Sequence, residues 1–272
     1  MHASLSSSEN ADAMKERIEA IPRAMYRMGW TVSAALMERW LHSPAWVLPE
    51  SWKGDGAPDP RYTSPSHLDQ RIVRMSWAMM RPRIRIALDR LRLKMANDAA
   101  KKVLRSRLTD LNWGTDRKVR FGSRHDSAVQ LEMSCQSNFE SFGDELDTMD
   151  DLYGALGLAT LKVALIGEAS RDARTGGITA DVTFAGFYIR DTYDFNGLQY
   201  LGTWTKNGAL SKTQMVMNSI LDGAVAHMHG EPIGNVFNHD FDAYRRATGY
   251  GGDFVIYSDV RWEPVNLRLD LA

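Results

Sequence analysis

Cysteine is almost absent. Cys135 is the one thiol in 272 residues, so no intrachain disulfide can form and a disulfide-framework fold is excluded. Long apolar runs are absent too. The longest, at residues 161–166, is interrupted by Lys162 and falls far short of the roughly 18 residues that span a bilayer. Charge of one sign does not dominate: 33 Lys+Arg stand against 34 Asp+Glu, a net charge of −1. The first eight residues are polar and Ser-rich with no apolar core, which predicts no Sec signal peptide. The chain is expected to be made in the cytoplasm. If exported, into a target-cell periplasm for instance, it would leave by a route that needs no such signal.

What is present belongs to an ordinary globular protein. Hydrophobic residues make up 44% and charged residues 25%, which excludes disorder for most of the chain. The near-zero net charge hides an asymmetry. Residues 1–115 carry 19 Lys+Arg and 12 Asp+Glu, whereas residues 116–272 carry 14 and 22. Opposite signs suggest two subregions that attract each other. The expected organisation is a disordered tail at 1–10, a helical region at 11–115 and a β-rich region at 116–272, the last two able to form one integrated domain.

Spacing supports that division. Met14, Ile18 and Ile21 recur at helical intervals until Pro22, which should end or kink the helix. Met25, Met28, Val32, Leu36 and Trp40 mark a second, very apolar helix. Ser64-Pro65 reads as the start of a third, with Leu68, Ile72, Met75 and Met79 on its stripe. Pro82 should break it before Ile84, Leu88, Leu91 and Met95 resume the pattern, followed by Leu104, Leu108 and Leu111. After Gly114 the period changes. Val129, Leu131, Met133 and Cys135 alternate with polar residues, which predicts a half-buried strand. A short helix is expected at 149–156, strands at 158–166, 179–189, 200–204 and 254–257, and helices at 213–228 and 240–246. The predicted class is α+β: an N-terminal helical part packed on a C-terminal antiparallel sheet with a few helices.

Several groups invite a chemical reading. Arg71, Arg74, Arg81, Arg83, Arg85, Arg90 and Arg92, with Lys94, Lys101, Lys102, Arg105 and Arg107, are dense enough to meet phosphates of lipid headgroups or nucleic acid. The same density also suits a solvated helix face. Aromatic interleaving for base stacking is missing there, which argues against nucleic acid. His227 and His229 fall near a helix end, where positions two apart diverge. Cys135 reads as core. The glycines at 249–252 precede a strand, so they are not a phosphate cradle.

The densest cluster is Tyr188-Ile189-Arg190-Asp191-Thr192-Tyr193-Asp194-Phe195-Asn196-Gly197. Asp191 and Asp194 in one pocket would hold a divalent cation or divide into acid and base. Tyr193 would orient a substrate. His239 would serve as base or ligand and Arg245 as a clamp on developing phosphate charge. Asn196-Gly197 equally suits a tight hairpin turn.

Two resemblances follow from these residues. The stretches Ile21-Pro22-Arg23-Ala24-Met25-Tyr26-Arg27-Met28-Gly29-Trp30 and Leu36-Met37-Glu38-Arg39-Trp40 resemble an uncharacterised bacterial family often encoded near type VI secretion genes. So do Asp150-Asp151-Leu152-Tyr153-Gly154-Ala155-Leu156-Gly157 and Gly251-Gly252-Asp253-Phe254. That resemblance implies a role in interbacterial competition, with secretion components or an immunity protein as partners. Asp191-Thr192-Tyr193-Asp194-Phe195 resembles the signature of colicin M-type bacteriocins, Mg2+-dependent enzymes that cleave lipid II. It implies catalytic roles for Asp191, Tyr193 and Asp194. The His-Arg pair that follows the signature in those toxins is replaced here by Gln199, Tyr200 and Leu201. His239 and Arg245 would have to stand in. The expectations are thus a secreted antibacterial phosphodiesterase acting on a lipid-linked precursor or, alternatively, a non-enzymatic adaptor, chaperone or structural partner of a secretion system. A nuclease using Asn238 and His239 is a third reading.

Overall fold

A computed structural model describes residues 7–53, 59, 63–111, 113, 117–144, 147–195, 200–221 and 223–271. The class is α+β, with N-terminal helices and a curled, mostly antiparallel sheet. The chain divides into two compact units, each gathered from three separated segments. Unit 1 comprises Met1–Glu50, Leu146–Gly157 and Thr192–Phe254; unit 2 comprises Ser51–Glu145, Leu158–Asp191 and Val255–Ala272. This division by contact is not the division by composition at residue 115.

Unit 1 is built on α1 (Ser7–Arg27) and α2 (Thr31–His42). The helix α1 already includes Ser7 to Asn10, placed in the expected tail; the rest of that tail lies outside the described residues. Ala11 and Ala13, the strongest helix formers, extend it toward its start. Pro22 does not end it. Proline forfeits one backbone bond, but Ile18, Ile21, Ala24 and Met25 are all buried, and their packing outweighs that loss. The helix stops instead at Gly29, whose φ of +76° suits glycine. Asp151, at the start of α7 (Asp151–Leu156), accepts from the backbone N–H of Val32 and Ser33 and so caps α2 from outside. A three-stranded sheet in the order β7 (Gly208–Ala209), β6 (Tyr200–Thr205), β8 (Pro232–Phe237) completes the unit with α8 (Lys212–Ile220), α9 (Ala224–Met228) and α10 (Asn238–Thr248). One helix was expected at 213–228. Gly223, at φ +86°, breaks it in two.

Unit 2 holds the larger sheet. Its long hairpin is β4 (Ala159–Arg171) with β5 (Ile178–Tyr193), registered from Thr160↔Arg190 to Arg171↔Ile178. On its outer edges β4 carries β2 (Lys118–Phe121) and β3 (Gln136–Phe142). β5 carries β9 (Phe254–Tyr257) and β10 (Arg261–Asp270), and β1 (Leu68–Asp69) runs parallel to β9. β5 and β9 each extend a residue or two into unit 1. Helices α4 (Pro82–Lys94) and α5 (Asp98–Thr109) pack on β3 and bury Ile84, Leu88, Leu91, Leu104 and Leu108. Pro82 opens α4 at its first turn, where a missing N–H costs nothing.

Two expectations are corrected here. The stripe from Leu68 to Met79 is not one helix: only α3 (Met75–Ala78) forms. The Asp69 carboxylate accepts from the N–H of Arg71 and Ile72, an Asx turn that competes with helix. The alternating run around Val129–Cys135 is not a strand but α6 (Ala128–Ser134). Ser127 and Gln130 form a reciprocal capping box, which fixes the first turn and overrides the period-two pattern.

Candidate functional site

Four of the five nominated residues, Tyr193, Asp194, His239 and Arg245, lie in unit 1; Asp191 belongs to unit 2. Tyr193 is buried among aromatic rings, stacked on Phe254 at 5.2 Å and edge-on to Phe195 at 5.3 Å. Burial pushes its phenol far above the ordinary range, so it carries a proton that no physiological base removes. Phe195 in turn stacks on Phe241 at 3.9 Å, and Trp40 lies edge-on to both. The motif that resembles a toxin signature thus supplies two rings to a hydrophobic core.

Arg245 is buried and fully engaged. Its Nε donates to the Gly251 carbonyl at 2.7 Å and its Nη2 to Asp253 at 2.6 Å. Asp253 also accepts from Trp40 Nε1 at 2.8 Å and from the Leu48 N–H at 2.9 Å. Burial raises the Asp253 carboxyl above its usual value, with the Asp194 charge adding to the rise. Its hydrogen bonds and Arg245 oppose that rise. This centre ties α2, residues 44–48 and α10 to the glycines at 249–252. Gly251 stands at φ +95°, and a Cβ there would meet Trp40 at 2.5 Å. Close packing explains Gly251 and Gly252, and Gly249 is the left-handed cap of α10.

Asp191 and Asp194 are half-buried. His239 is exposed, stacked on Phe237, with Nε2 3.8 Å from Asp240. Asp240 itself is held by Arg17 at 2.6 Å and by the Phe237 N–H. His227 and His229 fall at the end of α9, and His229 pairs with Gln214 at 2.6 Å. Among the described residues no three His, Cys, Asp or Glu side chains gather as metal ligands. The Asn196-Gly197 turn lies outside the described residues.

A different polar centre appears in unit 2. Lys162 of β4 stands directly across from Tyr188 of β5. Both meet Glu132 of α6, Lys162 Nζ at 2.5 Å and the Tyr188 hydroxyl at 2.6 Å. Tyr257 of β9 lies beside Tyr188 at 6.5 Å between centroids. Arg190, two residues further along β5, bonds the Tyr257 hydroxyl and donates to the Trp52 carbonyl. The Lys162 side chain is 3% exposed and that of Glu132 15%. Burial and the Glu132 charge raise both phenols, Tyr257 to about 12. In this row Glu132 joins the Lys162 ammonium and the Tyr188 hydroxyl, while Tyr257 packs beside Tyr188 and bonds Arg190. Its sequence signal was Lys162 itself, the interruption in the apolar run. Glu132 had none, because α6 was read as a strand.

The fold and these centres define an α+β protein whose most perturbed polar groups are knitted into the interiors of its two units. The chain belongs to the DUF6402 family, a family of unknown function, whose model matches residues 17–271. No curated protein and no solved structure matches it.

Proposed function

We propose that this protein works by binding, as an adaptor, chaperone or structural partner within a type VI secretion pathway. The observation that carries this is α8. One of its sides turns Met215 onto Leu210, Val225 and Ala226. The other side, with the residue that ends the helix, leaves Met217, Ile220 and Leu221 exposed, and Met228 of α9 is 81% exposed. A helix with apolar groups on two sides is matched to a second surface. Methionines suit a protein partner whose shape must be accommodated. The apolar side chains of α2 are not available for such contact: Leu36, Met37, Trp40 and Leu41 are all buried. The resemblance to proteins encoded beside secretion genes supports the choice of partner. The test is co-purification with individual components of the secretion apparatus. Wild type is retained, and a Met217→Asp/Ile220→Asp variant loses retention at least tenfold while keeping its circular dichroism spectrum. Equal retention of both sinks the reading.

A second reading, the secreted antibacterial phosphodiesterase, is favoured by the partial exposure of Asp194. Production in the bacterial periplasm separates the two. Toxicity that Asp194→Ala abolishes supports the enzyme and overturns the adaptor. A harmless wild type overturns the enzyme.

A further inference from the structure

We propose that the outer face of α4, with α5 beside it in sequence, docks on an anionic phospholipid surface. The inner side of α4 buries Ile84, Ala87, Leu88 and Leu91. Its outer side does not revert to plain polarity. Ile86 and Leu93 are separated by two helical turns and so lie on one line, about 10 Å apart. Leu93 is 89% exposed and Ile86 51%, and Met80, just before the helix, is 62% exposed. Arginines flank this ridge, Arg83 and Arg90 on one side and Arg85 on the other. The single acid within the face, Asp89, is paired with Arg92 at 2.6 Å.

The charge is concentrated in this stretch. Residues 71–107 hold 12 Lys+Arg and 2 Asp+Glu in a chain whose net charge is −1. Internal acids meet part of it: Glu140 approaches Lys94 and Arg90, and Glu263 holds Arg92. Arg85 bonds only a backbone carbonyl among the described contacts, that of Met79. Lys102 and Arg105 add exposed cations on α5, which packs on β3 as α4 does.

Shape and chemistry favour lipid over a protein partner. The apolar side chains form a convex ridge, which a fluid acyl layer accepts without a matching groove. Arginines beside inserted Leu and Ile are placed at headgroup depth, where guanidinium forks meet phosphates. Attraction of each basic group to an anionic leaflet is worth about fivefold in partitioning. The inference does not rest on the adaptor reading, because it uses a different surface.

The experiment is sedimentation of the full chain with vesicles of phosphatidylcholine alone or with about one third phosphatidylglycerol. Binding is expected only to the anionic vesicles and to weaken as salt rises. Arg85→Gln/Arg90→Gln should lower it by more than tenfold at low salt. Ile86→Asn/Leu93→Asn should lower it as strongly while leaving the charge intact. Both pairs are exposed, so folding is checked by circular dichroism. No binding to anionic vesicles, equal binding to neutral ones, or indifference to either pair overturns the proposal. Retention by polyglutamate without vesicle binding overturns it in favour of an acidic protein partner. Met217→Asp/Ile220→Asp should bind vesicles like wild type, so failure of the adaptor reading and failure of this one are separable.

Discussion

Cys135 and Lys162 show how far a residue's surroundings set its chemistry. Cys135 is fully buried, and burial pushes its thiol up to about 12. Thiolate is the reactive form, so the folded protein should resist a thiol reagent at pH 8 and react only once denatured. Rapid labelling of native protein would contradict its placement. Lys162 and Glu132 form a buried pair, and removing one partner strands the other charge. Lys162→Met should cost about 3–5 kcal/mol in denaturant unfolding. Adding Glu132→Gln should recover part of that loss, because no bare charge remains. The thiol was expected in the core on a strand face, and it is in the core at the end of α6 instead. The lysine was visible only as an anomaly, because its partner comes from another element.

At the scale of elements, strong local signals were read correctly and were overridden where a cap or a distant contact intervened. The strand at Phe254–Tyr257 and the helix start at Pro82 follow from their own residues. The helix α6 was misread because one face of alternating apolar residues outweighed a four-residue capping box. Ser127→Ala should therefore destabilise the protein by about 1 kcal/mol. The strands β1, β2, β3, β7, β8 and β10 were not foreseen. In β10, Val265, Leu267 and Leu269 alternate with Asn266, Arg268 and Asp270, a signal not read from the sequence, and the strand pairs the edge of β5 from Phe187 to Thr179. Gly251→Ala combines a positive φ with a collision against Trp40. It should destabilise by more than about 1 kcal/mol, measured as a fall in the denaturation midpoint. A neutral outcome would mean that the Asp253 centre is less tightly packed than its geometry implies.

For the whole molecule, charge distribution matters more than net charge. The chain should bind a cation-exchange resin at pH 7 despite its net charge of −1, through residues 71–107. Lys102→Glu/Arg105→Glu should elute at clearly lower salt. The ion pair of Arg92 with Glu263 holds that carboxyl below its ordinary value of 4.5. A depressed carboxyl stabilises the fold above that ordinary value, and the contribution disappears as pH falls through the lowered one. Both side chains are partly exposed, so the effect is at most about 1 kcal/mol. Glu263→Gln should flatten the acid limb of the stability profile by that amount. Among the described residues no helix is long and apolar enough to cross a membrane, in line with the lack of long apolar runs.

Composition and local spacing alone determined the α+β class, the absence of disulfides, the basic character of α4 and α5 and most of the inner strands. These depend on neighbours within a few turns or a few strand residues. The candidate site was decided by tertiary structure. Tyr193 and Arg245 look like chemistry in one dimension, yet one is enclosed by Phe254 and Phe195 and the other is bound by Asp253. Glu132, Lys162 and Tyr188 look unrelated in the chain, and the pairing of β4 with β5 under α6 joins them. The reason is that a polar group's ionisation and availability depend on burial and on partners that other elements bring to it, 30 residues away in the chain for Lys162 and Glu132. Periodicity reports only which face a side chain takes.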